Sequence, residues 1–130
     1  MKLTKNFNRS EFECKDGSPM TENQFKNIQE LAKNLQVLRD ELDEPIHITN
    51  AYRSRAHNQA IGGSKNSQHC LAKAADVYVE SKTPKQLAKV IEGLIEEGKM
   101  SEGGIGIYTK NKFVHYDIRG TKARWNGQTF

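Results

Sequence analysis

Between Thr21 and Leu42 the apolar positions Phe25, Ile28, Leu31, Ala32, Leu35, Leu38 and Leu42 recur at helical spacing. Thr21 and Gln24 form a capping-box pattern at the start of this segment, and Pro45 is expected to stop the helical region. From Ile46 to Ser54, "IHITNAYRS" alternates as a short strand with Ile46 and Ile48 on one side. "SRAHNQAIGG" reads as a short helix closed by Gly62 and Gly63, "KNSQH" as loop, and "AADVYV" as a strand. Thr83 and Pro84 have the residue types of an N-cap and first position for a second amphipathic helix, with Leu87, Val90, Ile91, Leu94 and Ile95 facing inward and Gly98 ending it. "GIGIYT" and "KFVHYDI" alternate and read as a hairpin through Lys110 and Asn111. The first twenty residues, with Asp16, Gly17, Ser18 and Pro19, read as an irregular leader with turns. The order α-β-α-β-α-β-β predicts an α+β fold, with helices flanking a small, mostly antiparallel sheet.

Length and composition narrow the class. A chain of 130 residues fits one domain, residues 1–130, large enough to bury a core. No stretch approaches the ~20 apolar residues a membrane-spanning helix needs, so no membrane insertion is expected. The start, "MKLTKNFNRSEFECKDG", lacks an apolar region of the secretory type, so no signal peptide is expected and the location stays open. Cys14 and Cys70 match no zinc-ribbon or CxxC spacing and read as free thiols. The net charge of +4 suits a polyanionic partner, either nucleic acid or an anionic cell wall. Nucleic acid is disfavoured, because there is no run of like charges, no clustered basic helix and no RNP-like aromatic strand.

The candidate chemistry centres on Asp76. A carboxylate among alanines and valines is costly to bury without a partner. In "AADVYV" the side chains of Ala74, Asp76 and Tyr78 share one face, and in "KFVHYDI" so do Phe113, His115 and Asp117. If these strands are neighbours, Asp76 and His115 converge, and His69, at the end of the preceding loop, can fold over the same point. Two histidines and a carboxylate with an open fourth position form a catalytic zinc set. A hydrogen-bonded or surface His/Asp pair satisfies the spacing as well.

"SQHCLAKAADV" followed by "GGIGIYTKNKFVHYDIRG" resembles the M15 peptidases, zinc enzymes that cut peptidoglycan peptides and include D-alanyl-D-alanine carboxypeptidases and phage endolysins. Their signature is Ser-x-His-x-x-Gly-x-Ala-x-Asp and a later histidine on a strand; Ser67, His69, Ala74, Asp76 and His115 match it. Arg53 in "AYRS" matches an upstream Tyr-Arg-Ser motif whose arginine contacts substrate. The resemblance runs from about Phe12 to Trp125. It implies a hedgehog/D-Ala-D-Ala-peptidase-like fold, a Zn2+ cofactor held by His69, Asp76 and His115, and a peptidoglycan peptide as substrate. It also implies substrate contact by Arg53, whose charge suits either a substrate carboxylate or the oxyanion that forms, a surface arginine after a strand being the alternative; Ser67 either binds substrate or shapes the loop. A monomer is expected, and release to the wall in the manner of a phage lysis protein is one route consistent with a lone compact catalytic domain.

Two positions depart from the pattern. The motif glycine is Ala72, so a left-handed backbone there would be strained, and a loop tolerating a small residue is the expectation. Many relatives carry a carboxylate three residues before the last histidine as general base; here that position is Lys112. Asp117 is then either the catalytic base or the carboxylate that orients a histidine ligand. The alternative to a peptidase is a catalytically silent M15-like domain that binds cell-wall peptide.

Other residues carry less weight. Cys70 adjoins His69, but its side chain is expected to diverge from the site. His47 reads as exposed, and His57 as structural or at the cleft edge. The glycines of "GGIGIY" precede a strand rather than a helix, so they do not form a phosphate loop; they are expected to turn the chain and leave room beside the metal. Tyr108 and Trp125 read either as a groove wall or as packing.

Overall fold

The computed structural model describes residues 1–127. Its helices are α1 (Glu22–Leu42), α2 (Arg55–Ala60) and α3 (Pro84–Glu96). Its strands are β1 (His47–Asn50), β2 (Ala74–Tyr78), β3 (Gly104–Tyr108), β4 (Phe113–Asp117) and β5 (Ala123–Asn126). Two 3-10 turns, Arg9–Phe12 and Gln68–Leu71, complete the order. The strands form one sheet in the order β1-β2-β4-β3-β5, antiparallel at every junction except the parallel pair β3–β5. The expected α+β class with a mostly antiparallel sheet is therefore observed.

The two long helices begin where the sequence places them. The hydroxyls of Thr21 and Thr83 accept the backbone N–H of Gln24 and Gln86, and each glutamine returns a side-chain acceptor to the cap N–H. α1 stops before Pro45. Asp43 adopts a left-handed conformation (φ 50°) and donates its N–H to the Arg39 carbonyl, so this C-cap ends the helix two residues ahead of the proline.

The sheet has a core face and a polar face. Ala75 and Val77 of β2, Val114 and Tyr116 of β4 and Ile105 of β3 are buried with Ile28, Leu31, Leu35 and Leu38 of α1 and Leu87, Ile91 and Leu94 of α3. Each fully buried residue of this size contributes about 1.5–3 kcal/mol of transfer free energy. Strict alternation then sends Asp76, His115 and Asp117 to the other face.

Three features depart from the sequence reading. The leader joins the core: Phe7, Phe12 and Cys14 are buried, Phe7 and Phe12 meet edge to face, and Lys2 bridges Asn8. Isolated aromatics carry no period, so the pattern could not reveal this. The first strand is shorter than Ile46–Ser54, because after Asn50 the chain leaves the sheet; Tyr52 donates its N–H to Phe12 and Arg53 to His69. Finally, "ARWN" forms β5 beside β3; a four-residue strand with one arginine and one asparagine gives no alternating signal.

Candidate metal centre

One row crosses the whole sheet: Asn50 pairs with Asp76, Asp76 with His115, His115 with Gly106, and Gly106 with Trp125. Strand register alone thus sets Asp76 and His115 side by side on one face. His69 arrives from the 3-10 turn Gln68–Leu71, whose N-cap is Ser67; the Ser67 hydroxyl accepts the His69 N–H at 3.1 Å.

The donor atoms converge. His69 Nε2 lies 3.2 Å and His115 Nδ1 3.3 Å from Asp76 Oδ1, and all three residues are buried. In a tetrahedral site with bonds of about 2.0–2.2 Å, ligand atoms stand roughly 3.4 Å apart. The outer nitrogens are already engaged. His69 Nδ1 is 2.7 Å from the Ala51 carbonyl, and His115 Nε2 is 2.7 Å from Asp117 Oδ2. A carbonyl can only accept, so His69 carries its proton on Nδ1 and turns the Nε2 lone pair toward Asp76. The carboxylate at His115 Nε2 likewise favours a lone pair on Nδ1 when that histidine is neutral. The donor set therefore fits a divalent ion at one point, with both histidines fixed from behind.

The electrostatics agree. Burial alone would raise the Asp76 carboxyl, but the adjoining His115 and His69 imidazoles hold it well below the ordinary carboxylate range. Burial would lower His115, but Asp117 and Asp76 outweigh it and raise the imidazole above its ordinary value.

Asp117 lies behind the site. It is fully buried, accepts N–H groups from Gly104 and Arg119, and forms a bidentate pair with the Arg119 guanidinium at 2.9 and 2.7 Å. Against the effect of burial, the hydrogen bond with His115, followed by those from Arg119 and Gly104, holds its carboxyl far below its usual range. Gly104 has no side chain because a Cβ there would meet the Asp117 carboxylate.

The three donors face a cleft of roughly 690 Å³. Arg53 lies on its wall, 12% exposed, with Nη2 3.6 Å from Asp76 Oδ2 and Nη1 donating to Asn58 Oδ1 at 3.1 Å; its Nε–H is buried without a partner. Ser67 lines the cleft while its hydroxyl caps the turn. Lys112 sits on the β3–β4 turn with φ 62°, exposed and outside this lining, and the only carboxylate among the described residues of the lining is Asp76. Ala72 takes a left-handed conformation (φ 60°) at the C-cap of the turn bearing His69. The loop does not avoid the strained geometry, as expected from sequence; it places alanine in it.

Sequence reasoning missed Asn58, Arg119 and the extent of the aromatic wall. Asn58 is buried between Arg53 and the Ser64 carbonyl. Arg119 pairs with Asp117 and lies 5.5 Å over the Trp125 ring; the Asp-x-Arg spacing of "DIRG" was the available signal. Trp125 donates to the Tyr108 hydroxyl, sits 5.0 Å from the His115 ring, and occupies space that a side chain on Gly106 would need. Cys70 is buried and free, outside the donor set; His47 stacks on Tyr78; His57 lies away from the cleft lining.

A family model for peptidase M15 matches residues 5–117. Among solved structures, the L-Ala D-Glu endopeptidase ChiX of Serratia marcescens is similar at 17% identity and a TM-score of 0.49, with 76% of this chain and 88% of that chain covered. No curated protein matches the chain.

Proposed function

The chain belongs to the M15 peptidase family, and from that premise we propose that it is a zinc-dependent hydrolase of peptide bonds in peptidoglycan stem peptides or their cross-links, acting as a single catalytic domain. The observation that carries this reading is the convergence of His69 Nε2, His115 Nδ1 and Asp76 Oδ1 on one point of an open cleft, with both outer imidazole nitrogens already held. His69, Asp76 and His115 would hold the zinc ion, which would supply Lewis acidity toward the scissile carbonyl and toward a water.

The protein's own groups perform the rest. Arg53 offers a fixed positive charge and an unpartnered N–H at the cleft wall, suited to a substrate carboxylate or to the oxyanion that develops during attack. Asn58 holds the Arg53 fork in place. Asp117 is the positioning carboxylate of His115: it holds the proton on Nε2 and the ring orientation, and Arg119 and Gly104 hold Asp117 in turn. Buried behind the histidine and fully hydrogen-bonded, it is poorly placed to receive a proton from a water in the cleft. Ser67 shapes the loop that delivers His69.

One observation favours the silent-domain reading: the position that holds a base in many relatives is Lys112, exposed and outside the cleft lining, and no second carboxylate lines the cleft among the described residues. Mass spectrometry of purified peptidoglycan fragments, after incubation with the zinc-loaded protein and with and without a chelator, separates the two. New cleavage products that vanish with the chelator are expected; binding without cleavage would establish the silent domain.

A further inference from the structure

A second group of ligand-type side chains lies outside the cleft. Cys14, Asp16 and His57 bring a thiol sulfur, a carboxylate oxygen and an imidazole nitrogen within 4.8 Å of one another. The peptidase reading uses none of them. We propose that Cys14, Asp16 and His57 form a second metal site, for a borderline-soft divalent cation of the zinc class, that ties the N-terminal leader to the segment carrying Arg53.

The donor chemistry selects the ion class. A thiolate, an imidazole and a carboxylate suit zinc, and an alkaline-earth ion would demand oxygen ligands throughout. With Cys14 as thiolate and Asp16 ionised, two negative charges balance a divalent cation, and water completes a tetrahedron.

The geometry needs only small adjustment. In a tetrahedral site of this composition the donors stand about 3.5 Å apart, so the present spacing must close by roughly 1 Å. Cys14 is buried and fixed, and its sulfur already accepts the Ser54 N–H at 3.3 Å. Asp16 is exposed and His57 half-buried at the start of α2, so both side chains can turn toward the sulfur. Ser54 sits among them: its hydroxyl donates to Asp16 Oδ2 at 2.7 Å and accepts the His57 N–H. The Ser18 N–H binds Asp16 Oδ1. Each carboxylate oxygen keeps a second lone pair, so these contacts can remain as outer support.

The position gives the site a consequence. Tyr52 N–H binds the Phe12 carbonyl and Ser54 N–H binds Cys14, so the leader runs alongside residues 52–54. Arg53 lies between those two contacts, and Ala51, whose carbonyl fixes His69, directly precedes them. A metal on Cys14, Asp16 and His57 would clamp this segment from outside the cleft.

The test is independent of catalysis. The full chain, stripped of metal, is titrated with Co2+ and read by absorption, since of the two sites only this one offers a thiolate. A near-ultraviolet thiolate-to-cobalt charge-transfer band is expected in the wild type and in the His69→Ala/His115→Ala variant. It should be absent from Cys14→Ser, weakened in His57→Ala, and unchanged in Cys70→Ser. Zinc should also raise the Tm of the His69→Ala/His115→Ala variant but not that of the same variant carrying His57→Ala, with circular dichroism confirming that the latter is folded. No band in the wild type, or a band that disappears with Cys70→Ser instead, would overturn the proposal. A band together with an inactive wild type would leave this site standing while removing the peptidase reading.

Discussion

Asp76 and His115 are direct cross-strand partners on β2 and β4, and His115 Nδ1 stands 3.3 Å from Asp76 Oδ1. The contact is set by sheet register, so the site is as rigid as the sheet. A one-residue slip of β4 would send His115 into the core and Val114 to the cleft. The Asp76–His115 half of the candidate metal centre is thus specified by the same alternation that specifies the core.

The first prediction concerns the cleft ligands. In a Cys14→Ser background, which removes the second proposed site, the further changes His69→Ala and His115→Ala should abolish stoichiometric zinc binding and peptide hydrolysis together. Metal analysis after exhaustive dialysis checks this. One zinc per chain retained in the triple variant would refute the assignment.

A second prediction separates the two roles considered for Asp117. As the partner of His115 Nε2, it would act through that candidate ligand. Asp117→Asn should weaken zinc affinity by roughly 10–100-fold, with most activity returning at saturating zinc. A base, by contrast, would leave zinc bound and cost about 10²–10⁴ in rate. The decisive measurement is kcat at saturating zinc: full occupancy with a dead enzyme would make Asp117 the base.

The third prediction tests the row Asp76–His115–Gly106–Trp125. A Cβ on Gly106 would come within 2.5 Å of the Trp125 ring, which lies against His115. Gly106→Ala should therefore displace the indole and destabilise the fold by about 1–3 kcal/mol, as overpacking does. Urea unfolding gives the value, and loss of the tryptophan's native fluorescence position should accompany it. A neutral substitution would show that the ring moves away without resistance.

These relationships differ in how far the sequence displays them. The periodic faces of α1 and α3 and the alternation of β2 and β4 are encoded residue by residue, so the core and the shared face of Asp76, His115 and Asp117 could be read directly. Their convergence needed one further step, the adjacency of β2 and β4, which only the fold supplies. Phe7, Phe12 and Cys14 gave no period, and their burial depends on contacts with segments far along the chain. Trp125 became part of the cleft because β5 returns parallel to β3, a pairing that a short polar strand does not announce, and Arg119 is held there by Asp117. Asn58 is read as an ordinary helix residue until Arg53 is found donating to it.

The last prediction concerns Arg53. Its guanidinium sits at the cleft wall beside Asp76, fixed by Asn58 and with one buried N–H unpartnered. Such a group costs desolvation in the resting protein, and an anionic substrate atom or developing oxyanion would supply the missing partner. Arg53→Ala should keep the cleft zinc and the fold and lose on the order of 10²-fold or more in kcat/KM. Arg53→Lys should restore only part of this, because an ammonium can neither span Asn58 and substrate as a fork nor hold a carboxylate bidentately. Asn58→Ala offers a graded control: it leaves the charge and removes its restraint, so KM should rise and kcat fall less than in Arg53→Ala. Kinetics on a stem peptide with a free carboxylate, and on the same peptide amidated, distinguish the two uses of the arginine. If it anchors the carboxylate, Arg53→Ala should penalise the free acid far more than the amide. If it stabilises the oxyanion, both should fall equally. Unchanged rates on both substrates would remove Arg53 from the site.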